Sequence, residues 1–176
     1  LVRSVVLRVV ALALLLLLTL VGVIALRTLQ RVPDAVVYFV RDRGTTFTLE
    51  PVKRRLGRSN IEQFVALQVA ELAKGPTSAE AAGGLSSAVP STTSVLSTGL
   101  TDGVLTVNLA ASFEQGGGTA AMTGRLAQLF YTLTQPSQID AVVLQIEGAN
   151  VTVFSGDGLI IDSPWVREEQ PDLPVW

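Results

Sequence analysis

The run VVALALLLLLTLVGVIAL, Val9 to Leu26, constrains this chain more than any other feature. It holds no charge, proline or asparagine and lies between Arg8 and Arg27. As one helix it would be about 27 Å long, close to the ~30 Å hydrocarbon thickness of a bilayer. A helix that is apolar on every side has no wet face, so a membrane span is expected rather than a surface helix of a soluble domain. The competing reading is a cleaved signal peptide, whose apolar region would be about 7–15 residues long and followed by small residues. This run is longer, although Val23 to Ala25 resembles a cleavage site. Length favours the uncleaved anchor, and the lipid bilayer is the first expected partner, through residues 9–26.

The anchor divides the chain. Residues 1–8 read as a cytoplasmic tail, 9–26 as the transmembrane helix and 27–34 as a linker whose Pro33 stops helix continuation. Residues 35–162 form the expected folded domain. Residues 163–176, ending in the polar, proline-interrupted VREEQPDLPVW, are expected to be a flexible C-terminal tail. Charge alone does not orient the span. Arg3 and Arg8 precede it and Arg27, Arg31, Arg41 and Arg43 follow, but long domains translocate largely regardless of charge.

After Arg31 the chain carries nine Lys/Arg and fifteen Asp/Glu, and 9 − 15 gives −6. That balance argues against nucleic acid as a partner, which needs a basic face. The basic residues do cluster once, in KRRLGR from Lys53 to Arg58. A solvated loop before a helix is the simpler reading of that run, and an anionic partner the sharper one.

Periodicity supplies the elements. AVVYFV, Ala35 to Val40, reads as a buried strand. FTLEPV, Phe47 to Val52, reads as a short strand held to an edge by Pro51. Ser59 and Glu62 fit a capping box for a helix whose Ile61, Phe64, Val65, Val69 and Leu72 share one face. Lys74, Gly75 and Pro76 end it. Thr77 to Ser94 reads as a short helical turn and a loop. Asp102-Gly103 signals a two-residue hairpin turn, flanked by alternation at Leu105, Val107 and Leu109. Ala141 to Gly148 is a further strand, with Asn150 to Gly156 as its hairpin partner and Leu159 to Trp165 as an edge segment. Hairpins outnumber helical crossovers, so the expected class is α+β: one compact mixed α/β domain, with two main helices packed on a mainly antiparallel sheet.

Composition removes whole chemistries. There is no Cys, so disulfides, thiolate metal sites, cysteine nucleophiles and a lipidated N-terminal cysteine are excluded. There is no His, which removes Ser-His systems and histidine metal sites. Asp102 and Asp157 each precede Gly and read as turn residues rather than metal ligands. Asn150-Val151-Thr152 matches a glycosylation sequon but falls in an expected strand.

One stretch resembles a phosphate loop, GGGTAAMTGRLAQLFYTLTQ, Gly116 to Gln135. A Walker loop needs Lys before its Ser/Thr, and none follows Gly118. The pattern GxGxxG would place glycines at 116, 118 and 121, and residue 121 is Ala. Asp140 stands about 20 positions on, as that fingerprint asks, but ahead of its strand rather than at its end. A helix explains more of these residues. Thr119 is the expected cap, and Met122, Leu126, Leu129, Phe130 and Leu133 the core face. Arg125, Gln128, Thr132 and Gln135 would form the wet face, with Gly124 and Ala127 a flat strip for another segment's approach.

Several of these stretches together resemble the spore-germination (GerMN) domain family. They are VVYFV, LEPVKRRL, ALQVAELAKGPTSAE, GLSSAVPSTTSVLSTGLTDGVLTVNLAASF, GGGTAAMTGRLAQLFYTLTQ and AVVLQIEG. The similarity covers about Ala35 to Asp162, and KGPT with SAVP and GRLAQLFYTLTQ are its most specific pieces. It implies a compact α/β domain outside the cytoplasmic membrane. Family members are typically lipoproteins or membrane-anchored, some are fused to cell-wall amidase domains, and some are duplicated and resemble ring-building modules of envelope complexes. No catalytic residues are established for the family, so none is assigned. This chain departs from the pattern in having one copy and an apolar helix for an anchor.

The expectation is therefore a single-pass protein of the cytoplasmic membrane with its C-terminal domain outside the cytoplasm. It would act as a non-catalytic binding or assembly module of the bacterial cell envelope, without cofactor or metal. Its partners would be envelope proteins or peptidoglycan, with self-association as a further expectation. A domain that binds peptidoglycan or a small ligand in cell-wall metabolism is the alternative, and predicts a pocket lined by aromatics.

Overall fold

The computed structural model describes residues 13–22, 35–44, 46–57, 60–154, 158–161 and 163–167. The chain forms two units, residues 1–32 and 33–176. In the first, residues 13–22 are an α-helix, α1, with Leu14 to Leu18, Leu20 and Val21 all exposed. The expected span 9–26 extends on both sides beyond these described residues. Among the described residues no helix is long and apolar enough to cross a membrane.

In the second unit the described residues build two main sheets and a small two-stranded one, rather than the single sheet expected. The first sheet has the order β2-β1-β3. β1 (Ala35–Asp42) pairs antiparallel along its whole length with β2 (Phe47–Arg54), from Ala35↔Arg54 to Asp42↔Phe47. β2 is an edge strand, as Pro51 requires, but it runs two residues further than expected and takes in Lys53 and Arg54. β3 (Leu85–Ser86) meets β1 only at Val40 and Arg41. Among the described residues the rest of that side of β1 has no strand beside it.

The second sheet has the order β10-β6-β5-β4. β4 (Val95–Thr101) and β5 (Val104–Leu109) form the expected hairpin, with Asp102 at φ 49° and Gly103 at φ 79°. Positive φ at both central residues is what a two-residue hairpin turn demands. At Gly103 a Cβ would stand 2.3 Å from an Asp140 carboxylate oxygen, so any side chain there would have to displace Asp140 as well as adopt a positive φ. β6 (Ala141–Ile146) lies parallel to β5, from Val104↔Ala141 to Leu109↔Ile146. The helix between them is thus a crossover, and one βαβ unit interrupts the mainly antiparallel pattern. β7 (Ala149–Asn150) folds back on β6 through Glu147 and Gly148, both at positive φ. β8 (Val153–Phe154) and β9 (Leu159–Ile160) make a separate small hairpin.

The start of the expected flexible tail is ordered. β10 (Trp165–Val166) pairs with β6 at Trp165↔Val142 and Val166↔Ala141. Trp165 stacks on Phe130 with ring centroids 4.8 Å apart and meets the edge of Tyr131 at 5.3 Å. The Arg167 guanidinium lies over both Tyr131 and Tyr38. Sequence alone showed a polar, proline-broken segment; the aromatic stack that holds it is tertiary. Residues 168–176 lie outside the described part.

Helix α2 (Ile61–Lys74) is capped by Asn60, whose side chain accepts from Gln63 N at 2.9 Å. The expected cap Ser59 lies outside the described residues, and the capping box stands elsewhere. Thr77 and Glu80 form it at the start of the short α3 (Ser78–Ala82). α2 ends at Gly75, φ 79°, ahead of Pro76, as expected. Helix α4 (Thr119–Leu133) follows a 3-10 turn, η1 (Ala111–Glu114). The core joins Val37 and Phe39 of β1, Val65, Val69 and Leu72 of α2, Leu129 and Leu133 of α4, and Leu105, Val107 and Leu144 of the second sheet.

Candidate functional site

The beginning of α4 is the stretch that resembled a phosphate loop. Its N-cap is Gly118, with no side-chain capping bond; Thr119, expected as the cap, is the first helical residue. Gly116 and Gly117 have φ of 69° and 91°. A Cβ at Gly117 would come within 2.8 Å of Ala121 Cβ, so this turn is closed tightly against its own helix.

What holds the turn is Arg125. Sequence placed it on a wet face with Gln128, Thr132 and Gln135, and the structure overturns that for three of the four. Arg125 is 3% exposed, and Gln128 and Thr132 are fully buried. Arg125 donates to Ala88 O and Gly116 O, each at 2.9 Å, and to Phe113 O. Its guanidinium also lies over the Phe113 ring. Burial pushes its pKa down. The Gly116 carbonyl of the glycine turn therefore points at an arginine of the protein itself. Asp140, the acidic residue of the partial dinucleotide pattern, instead donates its backbone N–H to Gly103 O and sits beside that hairpin.

Gln128 and Thr132 continue the polar seam. Tyr38 N donates to Thr132 Oγ1 at 3.0 Å, and Gln128 Nε2 donates to Tyr38 O at 2.9 Å. These side chains complete the edge of β1 that short β3 leaves bare. Helical spacing marked them as one face of α4, but nothing in the sequence said that a strand edge would meet it.

On the far side of Gly124 the helix and first sheet leave a concavity of about 410 Å³. Val40, Phe47, Ala88, Ala120, Ala121 and Gly124 form its apolar wall, and Asp42, Thr46, Ser86 and Ser87 its polar part. Gly124 keeps it open: a Cβ there would touch Val40, Phe47 and Ala88 at 3.5–3.7 Å. The flat strip expected at Gly124 thus borders a groove. Its hydroxyls are engaged locally. Ser87 Oγ donates to Leu72 O at 2.8 Å, and Ser86 Oγ reaches Val40 O at 3.5 Å. Asp42 accepts from Gly44 N at 2.7 Å. Phe47 is the single aromatic side chain in the lining, fewer than a sugar-stacking site would predict.

The basic run Lys53–Arg58 is divided by strand geometry. Arg54 turns inward and pairs with Glu71 at 3.0 Å and Glu80 at 2.7 Å, over the Phe39 ring. The Arg54 bond is the first cause that holds the Glu80 carboxyl at about 2, and Glu80 in turn raises Arg54. Lys53 and Arg55 face outward and are exposed. The solvated-loop expectation fails for Lys53 and Arg54, which belong to β2. Asp102 takes the turn role expected of it, and Asn150 lies exposed in β7. Asp157 falls outside the described residues. Among the described residues no group of acidic side chains is arranged to hold a metal ion.

Comparison with known proteins agrees with this architecture. The family model Germane, described as sporulation and spore germination, matches residues 36–152. The first GerMN domain of the sporulation protein GerM from Bacillus subtilis superposes with a TM-score of 0.63 at 21% identity, covering 76% of this chain and 96% of that one. The tandem GerMN domains of the same protein give 0.61 at 20% identity, covering 77% of this chain but 45% of that one, so this chain spans less than half of the tandem protein. A putative lipoprotein from Clostridium perfringens gives 0.54 at 18% identity, covering 78% and 89%. At such identities the likeness is one of fold. No curated protein matches.

Proposed function

The chain belongs to the sporulation and spore germination family, Germane, and we propose that it is a membrane-anchored, single-copy member acting as a non-catalytic binding or assembly module of the bacterial cell envelope. In this reading residues 9–26 anchor it in the cytoplasmic membrane and the domain stands outside the cytoplasm. The apolar, uncharged run supports the anchor. A protease-protection experiment on intact spheroplasts tests the orientation: the domain is degraded from outside, and its protection would reverse the topology.

The observation that carries the binding reading is the groove at Gly124. Its floor is made of small side chains, its rim carries hydroxyls and a carboxylate, and a missing Cβ keeps it open. Such a shape receives an inserted side chain or chain segment. A photo-crosslinking residue at exposed Ala120 is expected to capture an envelope protein, or a second copy of the chain, in native membranes. The same residue at Ala149 serves as the background. Equal capture at both positions would sink the groove as the recognition site.

The volume of the groove favours a second reading, as it falls within the ~300–1,000 Å³ of small-ligand sites. A domain of that kind acting in cell-wall metabolism retains purified peptidoglycan fragments, and retention falls when Ala120→Trp fills the groove. Unchanged retention after that substitution, or none from the parent chain, rejects it.

A further inference from the structure

The register of β1 with β2 fixes where the free positive charge of this acidic domain lies. Ala35, the first residue of β1, is paired with Arg54, and Val36 with Lys53. Paired residues in adjacent strands are about 5 Å apart. The C-terminal end of β2 therefore stands beside the point at which the chain enters the fold from the 27–34 linker. Alternation along β2 sends Arg54 inward to Glu71 and Glu80 and leaves Lys53 on the other face, and Arg55, just past the strand, is exposed as well.

The remaining cations among the described residues are occupied. Arg41 and Arg43 pair with Glu50, and Lys74 with Glu71. Arg125 is buried on carbonyls, and Arg167 lies on Tyr38 and Tyr131. Lys53 and Arg55 are the exposed cations for which no ion pair is formed among the described residues. Among the described residues, a domain of net charge −6 after Arg31 thus offers its unpaired positive charge near Ala35, where the chain enters the fold.

We propose that Lys53 and Arg55 dock this domain onto the anionic lipid headgroups of the membrane that holds its anchor, which fixes the domain's orientation at the surface. The inference rests on the proposed anchor. Eight linker residues reach at most about 29 Å when fully extended, so the domain stays close to the membrane surface. Both cations have long stems that let their charged ends reach phosphate oxygens. The groove lined by Asp42, Phe47 and Ala120 lies at the opposite end of the β1–β2 pair.

The absence of Cys makes single-site labelling direct. The full chain carrying Pro51→Cys, or Ala149→Cys as the distant control, is reconstituted into vesicles with headgroup-linked quencher. The vesicles contain phosphatidylcholine alone or phosphatidylcholine with phosphatidylglycerol. Quenching at position 51 is expected to exceed that at 149 only with phosphatidylglycerol, and to vanish at high salt. In the Lys53→Gln/Arg55→Gln double variant the docked-to-free ratio should fall roughly thirtyfold. Equal quenching on both lipids, or a double variant that matches the parent, overturns the docking. Flotation at high salt reads the anchor separately. A chain that leaves both vesicles at high salt lacks the anchor. Docking is then judged by low-salt binding to phosphatidylglycerol vesicles, which the double variant must lose for the assignment of Lys53 and Arg55 to stand.

Discussion

Gln128 Nε2 donates to the Tyr38 carbonyl at 2.9 Å, ninety residues away in the chain, while Gln128 Oε1 accepts from Ala88 N at 2.7 Å. One amide on α4 therefore takes the place of a strand partner on β1 and also fixes the segment after β3. Gln128→Ala strands a partly buried carbonyl and a partly buried N–H at about 1–3 kcal/mol each, besides leaving a void. A loss of about 3 kcal/mol in urea unfolding is expected. A loss below about 0.5 kcal/mol would show that water replaces the amide at no cost.

Gln68 offers the contrast. It is fully buried, donates to Thr132 O at 2.9 Å, and its Oε1 has no partner among the described residues. Thr132 O also accepts from Gln135 N, so it stays satisfied without Gln68. Gln68→Met removes an unsatisfied acceptor together with one bond, and stability should stay within about 1 kcal/mol of the parent. A cost like that of Gln128→Ala would mean that Oε1 has a partner.

Arg125 binds three carbonyls that lie on three different segments, Ala88, Phe113 and Gly116. Lysine carries the charge but not the planar fork, so Arg125→Lys leaves at least one carbonyl unpaired. We expect about 2–4 kcal/mol of destabilisation, together with faster hydrogen exchange in residues 111–121. Exchange that rises uniformly across the domain would contradict a local role for Arg125.

Glu80 gives the domain a specific acid sensitivity. Its folded pKa of about 2, set first by the Arg54 hydrogen bond, lies below its ordinary 4.5. The stabilisation is full above the ordinary value and is lost as pH falls from there toward 2. Glu80→Gln should lower Tm at pH 7 and have less effect near pH 2, where about half of the folded parent carries a protonated Glu80 and most of the stabilisation is gone. A constant Tm difference across that window would assign the effect of the substitution to the helix cap alone.

What could be read in advance was local. The Asp102-Gly103 turn, the Gly75 stop of α2 and the edge position of β2 at Pro51 each follow from backbone rules that act within a few residues. The parallel β5–β6 pair was not legible, because hairpin signals on either side of α4 say nothing about the direction of a strand it crosses to. The side chains at Arg125, Gln128 and Thr132 were misplaced for one reason. Polarity marks a wet face only when no backbone edge approaches, and here the bare edge of β1 and the glycine turn supply the partners that water would have. The groove was visible only as a small residue, Gly124, on a helix face.

Trp165 tests whether the segment after the expected domain boundary belongs to the fold. It is half-buried, stacked on Phe130 and in edge contact with Tyr131, and its strand pairs with β6. An aromatic contact of this type is worth ~0.5–1.5 kcal/mol beyond its buried area, and the indole adds hydrophobic burial. Trp165→Ala should therefore cost about 2–3 kcal/mol, less than a fully buried tryptophan. The substitution also frees the Arg167 end of β10 from its neighbours Thr134 and Tyr131. In a Trp176→Phe background Trp165 is the sole tryptophan. Its emission should be blue-shifted in the native state and should move to the red in the same urea transition that unfolds the helices. A separate, earlier fluorescence transition would show that β10 detaches by itself, and would return residues 163–167 to the tail.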